Sequence, residues 1–332
     1  MAHELEIRNG DASMFYVGDV PWHGLGTKLD KPATAAEAIK AAKLDWRVRK
    51  VPLYAIENGV QSSVRNTFGI VRDDLWGNPD CPVLGIVGQD YTPLQNEDAF
   101  AFFDPIVGRN AAIYHTAGVL RDGQRIWILA KLPTDIVVSR DDVAERYLLL
   151  SNSHDGESSV QIKFTPIRVV CQNTLTMALS EGGAIRVSHT PDMAKRLERA
   201  RDMMGLIDRR YEEIGETFQQ MCRVRMDHDR LSEYLGDVFP DPKEIEDRAA
   251  FKRVWQNRSL AEWFFDEGQG NKSHGVRGTL WAAYNGVTEL VDHRQTSQSD
   301  DRRLDSLWFG NGYLTKSRAF KVAHQKLEAW MN

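Results

Sequence analysis

The sequence predicts an α+β protein, with antiparallel β-hairpins and short helices in its N-terminal half and a helical C-terminal half. Three observations predict this. Apolar runs of strand length alternate with Asn-Gly and Asp-Gly turns as far as residue 156. From Leu197 onward, apolar residues recur at helical spacing instead. A chain of 332 residues with 42% hydrophobic content also has ample material for a core. The change of character divides the chain into a β-rich α+β core domain over residues 1–189 and a helical domain or extension over 190–332.

Taken in order, residues 1 to about 30 are rich in Gly and aromatics and read as ordered loop. Thr34 with Glu37 forms a capping-box pattern, so a short helix runs to about Leu44. "WRVRKVPLYAI" sets Trp46 and Val48 against Arg47 and Arg49, then turns at Glu57-Asn58-Gly59. "SVRNTFGIVRD" is its partner strand, and "PVLGIVG" is another short strand. "NEDAFAFFDPIV" is a helix with Asn96 as its cap, stopping near Pro105. "AAIYHTAGVLRDGQRIWILAKLP" is a hairpin across "RDGQ", and "RYLLLSNSHDGESSVQIKFTP" repeats the pattern with Asp155-Gly156 at its turn. Pro166 places its strand at an edge or bulge. Asn173 then caps a further helix.

The helical half opens on a heptad seam: Leu197, Ala200, Met204, Ile207, Tyr211, Ile214, Phe218 and Met221. Such a helix extends about 36 Å at 1.5 Å per residue. Its commoner use is packing on its own protein's core, and an interface with another chain is the alternative. Further helices are expected at 243–256, 276–292 and 315–330, with the polar loop "RQTSQSDDRR" before the last.

Composition narrows the function. A formal net charge of −5 means that any nucleic-acid site is a local basic patch. Three widely spaced cysteines, Cys81, Cys171 and Cys222, argue against a disulfide framework or a zinc knuckle. No apolar stretch reaches the ~20 residues of a membrane span, and the N-terminus lacks a signal-peptide pattern. A soluble cytoplasmic protein without membrane contact is expected.

Two basic segments carry the site prediction. In "VQIKFTPIRVVCQNTLTMALS", Lys163 and Arg168 precede the helix expected after Asn173. A helix N-terminus with free N–H groups and two nearby cations is suited to phosphate. In "IKAAKLDWRVRK", Arg47 and Arg49 share a strand face about 7 Å apart. Arg121 and Arg125, on the hairpin that follows, are lesser candidates. Cations that track a backbone beside aromatic rings are what single-strand binders use. The alternative for each cation is a solvated face or pairing with an acid.

Other motifs point to no chemistry of their own. "SNSHDGESS" is primarily turn chemistry, although His154 with Asp155 is a candidate divalent-ion pair. "WHGLG" lacks the third glycine of a dinucleotide fingerprint. No nucleophile-and-base arrangement is recognisable, so no catalytic residues, cofactor or resident metal are predicted.

"PWHGLGT", "LLLSNSHDG", "RVVCQNTL", "TLWAAYNGVTELVDH" and "LWFGNG" occur here in that order. With these motifs the chain resembles the phage- and plasmid-encoded family built on domain of unknown function 932. The motif positions are Trp22, His23, Gly24, Gly26, His154, Asp155, Gly156, Arg168, Cys171 and Asn173. The resemblance implies a bacterial mobile-element setting and carries no agreed catalytic residues. In architecture alone, the helix followed by hairpins and a further helix is similar to Rad52-like and Redβ-like single-strand annealing proteins. That likeness implies a basic groove and assembly into rings or filaments.

The function expected from sequence is therefore a phage or plasmid protein that binds single-stranded DNA and anneals complementary strands without catalysis. Its contacts are Arg47, Arg49, Lys163, Arg168 and Asn173, with Arg121 and Arg125 as additions. A homo-oligomer would make the groove continuous. One alternative is an accessory protein that binds or inhibits a host or phage protein. A second is a metal-dependent enzyme at His154 and Asp155.

Overall fold

Side-chain caps and left-handed turn residues set the first elements. The computed structural model describes residues 5–8, 10–18, 25–79, 81–107, 112–168, 173–174, 184–203, 207–244, 247–294, 306–307 and 310–331. In chain order the strands and helices of the first part are β1 (Ile7–Arg8), β2 (Asp11–Ala12), β3 (Met14–Val17), β4 (Thr27–Leu29), α1 (Ala35–Ala41), β5 (Val48–Glu57), β6 (Val60–Arg72), β7 (Gly85–Gly88), α2 (Asn96–Val107), β8 (Ile113–Leu120) and β9 (Arg125–Lys131). Then come β10 (Ile136–Ser139), β11 (Asp142–Glu145), β12 (Tyr147–Ser153), β13 (Val160–Phe164), β14 (Ile167–Arg168), β15 (Asn173–Thr174) and β16 (Ala184–Val187). The helices that follow are α3 (Met193–Met203), α4 (Ile207–Arg223), α5 (His228–Val238), α6 (Arg248–Glu267), α7 (Leu280–Glu289) and α8 (Asn311–Met331). The protein is α+β, with its hairpins in the N-terminal half and most helices in the C-terminal half.

The chain forms two units, neither of them one continuous stretch. Unit 1 takes Met1–Pro133, Leu148–Lys163 and Ala184–Gly205; unit 2 takes Thr134–Tyr147, Phe164–Gly183 and Leu206–Asn332.

Unit 1 is built on a seven-stranded sheet in the order β16-β13-β12-β9-β8-β3-β4. Nearly every residue of β9 and β12 is buried, so both faces of these central strands are covered. That explains why they read as continuous apolar runs rather than as alternation. Phe100 and Phe103 of α2 pack on Tyr114 of β8, whose hydroxyl donates to the Phe100 carbonyl at 2.9 Å. On α1 the expected capping box forms: Thr34 Oγ1 accepts from the Glu37 amide, and Glu37 accepts from the Thr34 amide at 2.8 Å. A smaller sheet, β5-β6-β7, ends in a projecting ribbon. Its turn residues Asn58 and Gly59 have φ of 49° and 79°, the left-handed pair that a type I′ turn requires. From Tyr54 to Asn66 every residue is exposed.

Unit 2 joins a four-stranded sheet, β10-β11-β14-β15, to the later helices. Tyr211, Ile214, Phe218 and Met221 are buried, so this part of the heptad seam packs within the unit. Residues 204–206, between α3 and α4, lie outside the described residues. Gly215 lets α4 approach β10, because a Cβ there would lie 3.2 Å from Ile136. Gln219 Nε2 also donates to the Val137 carbonyl at 2.8 Å. All ten residues of α7 are buried, and Trp281 stacks on Phe218 while donating to the buried Asp142 at 2.7 Å. A π-helical turn, Leu290–Arg294, continues α7 and carries Asp292, which accepts from the buried Lys316 at 2.7 Å.

Several local expectations are corrected. Asn96 does not serve as a cap through its amide, which instead donates to the carbonyls of Leu44 and Trp46. Pro105 lies inside α2, which continues to Val107. The β13 strand is not an edge, because β16 pairs with it over Val160–Lys163. Pro166 marks instead the passage from the larger sheet to the four-stranded one. Asn173 and Thr174 form a strand against β14 rather than opening a helix; residues 175–183 lie outside the described residues. The helix α5 was not foreseen.

Candidate nucleic-acid interface

Arg47 and Arg49 sit on one side of the chain entering β5, two residues apart, while Trp46 before them and Val48 between them are buried. This is the period-2 alternation that the sequence predicts. The guanidinium of Arg49 lies 4.4 Å from the ring centroid of Trp76, a tryptophan 54% exposed. Each arginine meets a half-exposed carboxylate: Arg47 pairs with Glu97, and Arg49 Nε donates to Asp73 at 2.8 Å. Exposed pairs of this kind are worth about 0–1 kcal/mol, so a phosphate can compete for either cation. Lys50 points to the other face, where it donates to the carbonyls of Gln89 and Tyr91 and lies over Phe68.

Two of the other predicted cations are buried. Lys163 is 4% exposed and Arg125 is 8% exposed. Burial takes both away from the solvent-facing trough expected of them, because the strands that carry them are covered on both faces. Arg121 lies at the turn after β8 with a left-handed φ of 53°. Arg168 and Asn173 pair backbone to backbone in the four-stranded sheet and belong to unit 2; their side chains lie outside what is described.

The "SNSHDG" segment builds the interior of unit 1. Asp155 Oδ1 accepts from the Ser153 hydroxyl and from the Glu157 amide at 2.8 Å, closing the turn. His154 is fully buried, with Nε2 at 3.1 Å from Asn96 Oδ1. Burial holds its pKa down to about 3, and His189 and Arg72 push the same way. His189 stacks on Tyr91, and Nδ1 donates to the Thr92 carbonyl at 3.1 Å. Its pKa is likewise lowered by burial. Beneath this layer, Arg72 lies 3.7 Å from the Trp46 ring centroid and donates to Glu6 at 2.6 Å and Asp74 at 3.0 Å. Among the described residues, no three His, Cys, Asp or Glu side chains are arranged to hold a metal ion. Trp22, His23, Gly24 and Cys171 lie outside the described residues.

Unit 2 has a cleft of about 530 Å³ between β10 and α4. Asp135, Glu212 and Glu216 line it beside the buried Arg146. Three carboxylates at its rim disfavour a polyanion there. Among the described residues, no helix is long and apolar enough to cross a membrane.

These features define an α+β fold in which the buried polar side chains of the HDG segment hold its own turn and two exposed arginines stand near an exposed tryptophan. Residues 83–308 match the family described as Domain of unknown function (DUF932), and the chain belongs to that family. Comparison with curated proteins finds no match, and comparison with solved structures finds none either.

Proposed function

We propose that this protein binds single-stranded DNA without sequence preference, as a non-catalytic strand-annealing protein of a bacterial phage or plasmid. The observation that carries the reading is the Arg47–Arg49 pair beside the exposed ring of Trp76. It offers two cations to a phosphate backbone and one aromatic face to a base. The partnering carboxylates are half-exposed and exchangeable, so the basic character is local to this strand on an otherwise acidic chain. Homo-oligomerisation would align such strands along one polynucleotide.

The test is binding of a fluorescein-labelled 30-nucleotide oligo(dT) by anisotropy over a salt series. Each phosphate contact contributes roughly 0.7 to the slope of log K against log salt. Arg47→Ala with Arg49→Ala is expected to weaken binding and reduce the slope by about 1.4. Unchanged affinity and slope would remove this site.

A second reading, an accessory protein that binds another protein, is favoured by the projecting ribbon. Tyr54, Ile56, Val60 and Val64 are exposed there without a core to cover them. Under that reading, a host or phage protein is retained by the chain in a pull-down with no nucleic acid, and replacing residues 54–63 by a short Gly-containing turn abolishes that retention.

A further inference from the structure

On unit 2, β10 is the outermost strand of its sheet: it pairs with β11 on one side and, among the described residues, with no strand on the other. Such an edge invites a further strand, and proteins ordinarily cover or blunt it. Here the cover is partial. The helix α4 comes close to Ile136 at Gly215, and two side chains reach the strand's backbone. Gln219 Nε2 donates to the Val137 carbonyl at 2.8 Å, and Arg146 Nε donates to the Thr134 carbonyl. Between strand and helix lies the cleft of about 530 Å³, and Val137 in its wall is 57% exposed. Acids line both walls, Asp135 from the strand and Glu212 and Glu216 from the helix. All three are exposed, and none pairs with a cation among the described residues. Glu213, the next position round the helix, is by contrast paired with Arg209. The cation in the lining, Arg146, is 6% exposed, and its guanidinium lies 5.1 Å from the Tyr211 ring centroid. Arg140 and Arg223 are exposed farther along the two elements and do not line the cleft.

We propose that an extended, Lys- or Arg-bearing segment of a partner protein docks in this cleft as an added strand on β10, its cationic side chains meeting Asp135, Glu212 and Glu216. In this mode main-chain hydrogen bonds to the strand edge supply affinity, and alternate side chains of the incoming segment supply specificity. Charge selects the occupant. A polyanion meets three exposed carboxylates and is repelled. A second copy of the chain, paired through its own β10, would set these acids against their equivalents, and like charges facing each other disfavour that pairing. A cationic strand satisfies the edge and the acids together. The inference stands apart from the nucleic-acid reading, which concerns Arg47 and Arg49 of unit 1.

The experiment uses the full chain and three fluorescein-labelled octapeptides, read by anisotropy: alternating Thr and Lys, alternating Thr and Glu, and alternating Pro and Lys. The Thr–Lys peptide is expected to bind and the Thr–Glu peptide not to. The Pro–Lys peptide has the same cations but lacks half of the N–H donors and cannot extend a ladder, so it should bind about 10-fold more weakly. Glu212→Gln with Glu216→Gln, both on the surface, should weaken Thr–Lys binding about 3- to 30-fold and flatten its salt dependence, with the urea midpoint unchanged. A wild-type protein that does not bind the Thr–Lys peptide overturns the inference. So does equal binding of the Pro–Lys peptide, which reduces the effect to loose electrostatic attraction. Wild-type affinity in the double variant overturns it as well, leaving the acids as a device that merely blunts the edge. Oligo(dT) binding, measured on the same samples, separates this inference from the function proposed above. Protein that binds oligo(dT) and not the Thr–Lys peptide sinks the inference alone, and the reverse result sinks that function alone.

Discussion

Nε2 of His154 donates to Oδ1 of Asn96 across 3.1 Å, in the interior of unit 1. The direction follows from the amide, whose Nδ2 already donates to the carbonyls of Leu44 and Trp46 at 3.1 and 3.0 Å. Its oxygen must then accept, so His154 carries a proton on Nε2, and burial keeps the ring in its neutral form. Nδ1 is buried and has no hydrogen-bond partner among the described residues.

This neutral histidine makes unit 1 sensitive to acid. Folded, its pKa is about 3; unfolded, it returns to the ordinary value of 6.5. Between these values the unfolded chain binds more protons, so stability falls as pH drops below about 6.5 towards 3. One such proton sets a slope of up to about 1.4 kcal/mol per pH unit. His189, lowered by burial as well, acts with the same sign. Urea midpoints between pH 7.5 and 4.5 should decline in the wild type and decline less in His154→Gln. Parallel declines would place the acid sensitivity elsewhere.

Arg72 is the second buried dependency. It neutralises Glu6, which also accepts from Ser13 at 2.7 Å, and it covers Trp46. Arg72→Met leaves Glu6 buried without its counter-ion and should cost about 3–5 kcal/mol. Adding Glu6→Gln removes the orphan charge, so the double variant should be more stable than Arg72→Met alone. A double variant with no recovery would show that the guanidinium acts through Trp46 rather than through charge.

In unit 2 the pair Lys316–Asp292 is tested in the same way, with a sharper sign. Burial lowers the Lys316 pKa, and Asp292 opposes that shift. Lys316→Met alone should cost about 3–5 kcal/mol, while Lys316→Met with Asp292→Leu should be near neutral or stabilising. If the double variant stays as unstable as the single one, the pair is needed for the π-helical turn that holds Asp292 and not merely for its own compensation.

What was legible in the sequence was whatever local chemistry decides. Thr34 with Glu37, Asn58 with Gly59, and the seam through Tyr211, Ile214, Phe218 and Met221 each act within a few residues, and each stands where the pattern predicts. What long-range contacts decide was not legible. Asn96 has the side chain of a cap, but its amide is drawn to carbonyls about fifty residues away. Lys163 obeys strand alternation, yet both sides of β13 are covered, so alternation no longer tells inside from outside. At the site, the shared face of Arg47 and Arg49 was readable from period 2. The carboxylates opposite them and the ring of Trp76 were not.

The family motif "HDG" makes the last prediction, through a glycine outside it. Gly85 opens β7, in register with Ile70 of β6, and its Cα lies against the backbone of Asp155. A Cβ there would overlap the carbonyl oxygen, carbonyl carbon and Cα of Asp155. None of these atoms can swing aside as a side chain would, and Gly156 beyond them holds a left-handed φ of 80° with Val87 against it. Gly85→Ala must therefore either lift β7 from β6 or open the turn that closes on Asp155. It should destabilise unit 1 by about 3 kcal/mol or more, at the upper end of overpacking costs. Gly88→Ala on the same strand meets nothing within 4 Å and should change stability by less than about 1 kcal/mol. Urea unfolding followed by tryptophan fluorescence compares the two variants directly, and equal midpoints would show that β7 does not brace the turn.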